Sequence, residues 1–279
     1  MIRTKELLTK KTFWIIALNS TVSFVFSYLI VFYFNQFFCL LIGLLKGFPV
    51  EISYSYFGYQ IEPWQWTKEV VLITYSLGYI ATLILGILTL IAFRSMRRRS
   101  FPVKIVFLWL AFHCFTYFFT GIMLGNLLKD GMGHFFAWLQ LGSEIFHLIF
   151  ALIGFLGLLL TAIMFVRNVG YTANSYFKKY TEEIRPFFIS AQVLVPFLMG
   201  SVVLLAYFFP NYMMHERYNF LVYLGMICFF FLGLRQSNNL RFRREKDLKI
   251  HLMSRFIIIA VLFTLLTRII FYKEILLSL

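Results

Sequence analysis

Asn35-Gln36-Phe37-Phe38-Cys39-Leu40-Leu41-Ile42-Gly43-Leu44-Leu45 closes an apolar run that begins at Phe13, and this run decides the class of the fold. At about 1.5 Å per helical residue, a helix over residues 13–45 exceeds what one perpendicular crossing of a roughly 30 Å hydrocarbon layer needs. Its far end therefore has another task. Asn35, Gln36 and Cys39 place amide and thiol groups at i, i+1 and i+4, and the first and last share a helix face one turn apart. Beyond Gly47-Phe48-Pro49, the alternation Val50-Glu51-Ile52-Ser53-Tyr54-Ser55-Tyr56-Phe57-Gly58-Tyr59 predicts a short extended segment or hairpin.

The rest of the chain has the same character. With 61% hydrophobic and 14% charged residues, it lacks the polar groups to cover a soluble domain. We expect an all-α fold, a polytopic transmembrane bundle of about seven helices near residues 13–45, 69–93, 103–127, 145–166, 186–209, 218–234 and 254–272. No repeat or long linker divides it, so residues 1–279 read as a single integral membrane domain. The basic opening, Met1 to Lys11, leads into the first run without a short apolar core and small-residue cleavage site, which predicts a retained span. Cys39, Cys114 and Cys228 all fall in apolar runs and read as small buried hydrophobes, with no disulfide framework.

A net charge of +14 invites comparison with nucleic-acid binders, but its distribution excludes that reading. With a cytoplasmic N-terminus, twenty of the 26 Lys and Arg fall on the inner side, leaving Lys46, Lys68, Lys129, Arg217, Arg268 and Lys273 outside. That asymmetry is the positive-inside pattern of a multi-pass protein, and we expect a bacterial inner membrane. The partners expected are membrane lipid and other membrane proteins. Pro186 and Pro210 bracket the fifth span and Pro196 predicts a kink within it. Gly121 and Gly125, like Gly43 and Gly47, have the GxxxG spacing that permits close helix approach. Trp64, Trp66 and Trp138 suit an interfacial belt, and the basic segment 236–249 suits anionic headgroups.

Residues 35–39 have the spacing of HExxH, in which two His hold zinc from one helix face and a Glu between them serves as general base. An apolar helix, this five-residue motif, a small-residue apolar turn, a Gly and an extended segment together resemble the site-2 protease family of intramembrane zinc metallopeptidases, over about residues 17–165. Leu128-Lys129-Asp130-Gly131 resembles that family's Asp-Gly element, whose Asp completes the zinc site, and Asp130 matches it. The resemblance implies a metal cradle at Asn35, Gln36, Cys39 and Asp130. Its chemistry is nevertheless replaced: Asn35 and Cys39 stand where the two His belong and Gln36 where the Glu belongs. An amide takes up no proton near neutral pH, so Gln36 is no general base. The expectation is a pseudopeptidase with no catalytic residue and no cofactor, acting through protein or lipid contacts. Asn35 and Gln36 also have a plainer explanation, as amides satisfied by each other, water or a neighbouring helix.

Two alternatives stay open. One is a metallopeptidase holding zinc through Cys39, Asp130 and His134; the other is an accessory subunit of a larger membrane complex, or a transporter. Glu144 and His147 form a Glu-x-x-His at i, i+3, a pair that di-metal carboxylate proteins use twice and that occurs once here, with a solvated Glu144 as the plainer reading. His113, flanked by Phe112 and Cys114, is an ionisable group deep in a span, expected as a neutral hydrogen-bonded histidine. Arg268 can snorkel from the outer end of the last span. Nucleophile elbows, phosphate-binding Gly loops, dinucleotide fingerprints and CxxC pairs are absent from the sequence.

Overall fold

The computed structural model describes residues 8–55, 57–97, 103–141, 143–177, 179–210, 222–223, 225–227, 231, 240–241 and 250–277. The first helix, α1 (Lys10–Leu45), opens on Thr9, whose hydroxyl accepts the Thr12 amide. At 36 residues it is about 54 Å long, as the long apolar run demands. After a turn at Gly47 come β1 (Val50–Ile52) and β2 (Phe57–Tyr59), then α2 (Lys68–Met96), capped by the Thr67 hydroxyl. Next are α3 (Lys104–Leu128) and the short α4 (Met132–Phe136), which continues as a π-helical turn, Ala137–Leu141. They are followed by α5 (Glu144–Thr172), β3 (Lys179–Tyr180), α6 (Arg185–Phe208), β4 (Leu240–Arg241), α7 (Ser254–Ile270) and β5 (Ile275–Leu277).

Among the described residues five helices, α1, α2, α3, α5 and α6, are long and apolar enough to cross a membrane, and the protein is a helical membrane protein. The predicted last span is the 17-residue α7. The predicted span 218–234 lies largely outside the described residues, of which Val222, Tyr223, Gly225, Met226, Ile227 and Phe231 are helical. Cys228 also lies outside them.

Helix α3 is the axis of the bundle, packed by α1, α2 and α5. Small residues set those distances. A Cβ on Gly154 of α5 would come 2.6 Å from the Met123 amide nitrogen of α3, so the two backbones touch there. The predicted GxxxG pair serves internal packing: Gly121 receives the Tyr79 ring of α2, and Gly125 receives the backbone of the turn after α3. Facing away from the core, α2 exposes Leu77, Ile80, Ile84, Ile87, Leu88 and Ile91, a helical stripe that matches lipid and not water. On α1, by contrast, the inward face carries the aromatic core, where Phe24 meets Trp109 and Phe197 at ring separations of 4.9 and 5.7 Å.

Pro196 disturbs α6 as expected, and the disturbance takes the form of two π-helical stretches, Ser190–Leu194 and Pro196–Gly200. Proline offers no amide to the carbonyl four residues back, that of Gln192. The Ser20 hydroxyl of α1 donates to this carbonyl at 2.7 Å, and the Trp109 indole of α3 donates to the same Ser20 oxygen at 2.9 Å.

Short strands close the ends of the bundle, and of these the sequence pattern pointed only to the extended segment over residues 50–59. Strand β1 pairs antiparallel with β2 on one side and on the other with β5, so residues 275–277 join residues 50–52. At the opposite end β3 pairs with β4. Lys104, expected to lie among the solvated topology-setting charges, is instead completely buried, and its ammonium donates to the Tyr171 carbonyl at 2.9 Å and to Asn174 Oδ1. The Asn174 amide in turn donates to the Arg97 carbonyl, which draws the ends of α2, α3 and α5 together. Arg268 does not snorkel to water alone: its guanidinium donates to the Tyr207 and Phe209 carbonyls at 2.7 and 2.6 Å and lies 3.4 Å from the Tyr54 ring centroid.

At the β1–β5 edge, a hydrogen bond and like charge from Glu51 hold the Glu274 carboxyl above the usual range. An acid raised in this way contributes stability at low pH that is lost as pH rises through its raised value. After correction for intrinsic exchange rates, amide protection at 275–277 should therefore fall as pH is raised from the ordinary carboxylate range towards neutrality. Glu274→Gln should keep the low-pH protection at neutral pH, as hydrogen exchange followed by mass spectrometry will read.

Candidate functional site

The end of α1 and the turn after α3 lie at the same end of the bundle, and α2 stands between them. Asn35 is buried, and its Oδ1 receives the Cys39 thiol at 3.9 Å, as the i, i+4 spacing allows. Both residues press on Gly78 of α2, where a Cβ would stand 2.9 Å from Asn35 Nδ2 and 3.1 Å from Cys39 Sγ. Asn35 Nδ2 has no hydrogen-bond partner. Gln36 is half-buried on the neighbouring flank of α1. Tyr59, from β2, donates its hydroxyl to the Cys39 carbonyl at 2.9 Å. Burial raises that hydroxyl well above its ordinary range, so it stays protonated and remains a donor.

Asp130 sits in a tight turn. Lys129 adopts a left-handed conformation, the Asp130 amide donates back to the Gly125 carbonyl at 3.0 Å, and the Gly133 amide donates to the Asp130 carbonyl at 2.9 Å. Only glycine fits at 133, since a Cβ would lie 2.1 Å from the Gly125 oxygen. The Asp130 carboxylate accepts the Gly131 amide at 2.7 Å. His134 follows in α4, with its ring 4.9 Å from that of Tyr75 on α2. Tyr75 also lies within electrostatic range of Asp130 and Cys39. Among the described residues, no three His, Cys, Asp or Glu side chains gather closely enough to hold a metal ion.

The other candidates are drawn into separate contacts. Glu144 pairs with Lys129 at 2.5 Å on the exposed surface, where solvent screens the ion pair. His147, one turn on, turns inward, and its Nδ1 bonds the Asn126 Oδ1 at 2.9 Å; because the Asn126 amide nitrogen donates to the Ile122 carbonyl, Nδ1 carries the proton. Glu144 and His147 thus serve different partners. His113 is fully buried between α1 and α3. Its Nε2 lies 3.0 Å from the Phe24 carbonyl, which only accepts, so Nε2 holds the proton and Nδ1 accepts the Tyr223 hydroxyl at 3.2 Å. Phe24, Tyr28 and Trp109 surround the ring, with the nearest centroid, that of Phe24, at 4.5 Å.

Sequence reasoning missed Tyr59, Tyr75 and Gly78. Tyr75 and Gly78 lie at i, i+3 of α2 and so share a face, which is a local signal. Which neighbour that face meets depends on tertiary packing alone.

Replacing His113 with Phe keeps the ring but removes the hydrogen bonds of His113 to the Phe24 carbonyl and to the Tyr223 hydroxyl. We expect a loss of about 1–3 kcal/mol of stability, read as an earlier unfolding midpoint in detergent. Asn126→Ala, by the same reasoning, should weaken the α3–α5 contact at His147. Comparison with known protein families, characterised proteins and solved structures returns no significant match.

Proposed function

We propose that this chain is a non-catalytic multi-pass protein of a bacterial inner membrane, with its N-terminus in the cytoplasm and seven membrane helices, acting through protein or lipid contacts in the bilayer. Its core over about residues 17–165 is that of an intramembrane metallopeptidase whose chemistry has been replaced. The observation that carries this reading is the packing of Asn35 and Cys39 against Gly78, together with an amide at position 36. Those two side chains are spent on a helix contact, and Gln36 supplies no base. The twenty inner-side cations support the orientation.

One specific observation favours a second reading, in which Cys39, Asp130 and His134 hold zinc: the His134 ring meets that of Tyr75, which lies within electrostatic range of Asp130 and Cys39.

Elemental analysis of the purified full chain, paired with incubation against a transmembrane peptide, separates the two. We expect less than stoichiometric zinc and an intact peptide. Stoichiometric zinc with peptide cleavage, both abolished by Cys39→Ala and by Asp130→Ala, would overturn the proposal in favour of the metallopeptidase.

A further inference from the structure

Helices α2 and α5 finish alike. On α2, Ile80, Ile87 and Arg94 follow one another at intervals of seven residues, and on α5 so do Ile153, Leu160 and Arg167. Seven residues are close to two helical turns, so each trio shares a face, and all six side chains are exposed. Each face is a lipid-facing stripe closed by an arginine. The two helices meet just beyond, where the Arg97 guanidinium lies over the Tyr171 ring of α5 at 5.5 Å from its centroid. Arg94 precedes Arg97 by three residues and Arg167 precedes Tyr171 by four, so both stand one turn from this contact, on the side of the apolar stripes.

Three guanidinium groups thus gather at one junction with little to balance them. The described carboxylates at this end are Glu182 and Glu183, in the turn before α6, and neither pairs with Arg94, Arg97 or Arg167. Both ion pairs among the described residues, Lys46 with Glu69 and Lys129 with Glu144, lie at the other end. The negative end of a helix dipole accounts for Arg94, which is in the last turn of α2. It does not account for Arg167, which stands before the last turn of α5.

We propose that this junction binds the headgroup phosphate of an anionic phospholipid whose acyl chains lie along the two apolar stripes. Guanidinium forks match phosphate oxygens in pairs of parallel hydrogen bonds. The stripes select a lipid over free phosphate or a nucleic acid, neither of which carries acyl chains to lay along them. The unbalanced positive charge selects an anionic lipid over a zwitterionic one, whose own ammonium offsets its phosphate. Such a lipid is one of the bilayer contacts through which the chain is proposed to act, and the junction rests on that reading while sharing no residue with the peptidase-like positions.

The full chain, freed of lipid in detergent, is titrated with phosphatidylglycerol or with phosphatidylcholine of the same chain length, and bound lipid is counted by native mass spectrometry. We expect saturable binding of phosphatidylglycerol, about fivefold or more tighter than phosphatidylcholine. Inorganic phosphate and a short DNA oligonucleotide, at equal ionic strength, should not displace it. Affinity should fall about three- to tenfold in Arg94→Gln and in Arg167→Gln. It should stay unchanged in Arg255→Gln, which removes an exposed arginine from α7, a helix packed on α1. Equal affinity for phosphatidylcholine, displacement by phosphate or the oligonucleotide, an equal loss in Arg255→Gln, or full affinity in both Arg94→Gln and Arg167→Gln would overturn the assignment. Should a variant fail to fold, the lipid ranking and the displacement by the wild-type chain decide. Stoichiometric zinc with peptide cleavage would overturn the non-catalytic reading and leave this junction standing; lack of lipid preference would do the reverse.

Discussion

One hydroxyl oxygen ties three helices together. Pro196 takes away the amide that would have satisfied the Gln192 carbonyl, Ser20 fills the gap from α1, and Trp109 donates to Ser20 from α3. In lipid no water stands ready to pair a lost backbone group, so a proline in a membrane helix must be answered by a neighbour. The bundle is built around that requirement: the polar face of α1 turns inward, the aromatic rings of Phe24, Trp109, Phe112 and Phe197 close over it, and the apolar stripes of α2 and α5 are left for lipid. Apolar burial gives little drive between helices in hydrocarbon, so close backbone approach at Gly154 and hydrogen bonds such as these hold the elements in place.

Two cations of the bundle, Lys104 and Arg268, obey the same constraint. Lys104 donates to the Tyr171 carbonyl at the end of α5, and Arg268 donates to the Tyr207 and Phe209 carbonyls at the end of α6. Both sit where a helix leaves its last carbonyls unpaired and its dipole is negative. Charge that a sequence reader counts towards orientation therefore also closes helix ends, one at each end of the molecule.

Much of this was legible in the residues. Five of the seven long apolar runs coincide with helices long enough to span, Pro196 located the irregularity in α6, and Gly121 and Gly125 marked a close approach, because each of these is a local property with a fixed period or a fixed steric consequence. The candidate site was legible only in part. Asn35 and Cys39 share a face because of their spacing, but that this face meets Gly78, and that Tyr75 meets the His134 ring, depends on how α2 settles against α1 and α3. The pairing of β5 with β1 was out of reach for the same reason: it joins segments more than two hundred residues apart through backbone groups that carry no side-chain signature. Burial of Lys104 was hidden because a lysine at a helix start reads equally well as solvated.

The central claim is that the polar residues at the end of α1 are spent on helix packing. Cys39 is the place to test it, because a Cβ at position 78 would stand 3.1 Å from its sulfur. In Gly78→Cys, mild oxidation should link the new thiol to Cys39, giving a band that is shifted on non-reducing gels and restored by reductant. Gly78→Ala serves as the control for folding. A Gly78→Cys chain that folds but stays unlinked, with Cys39 open to alkylation or protected by a bound metal, would contradict the account.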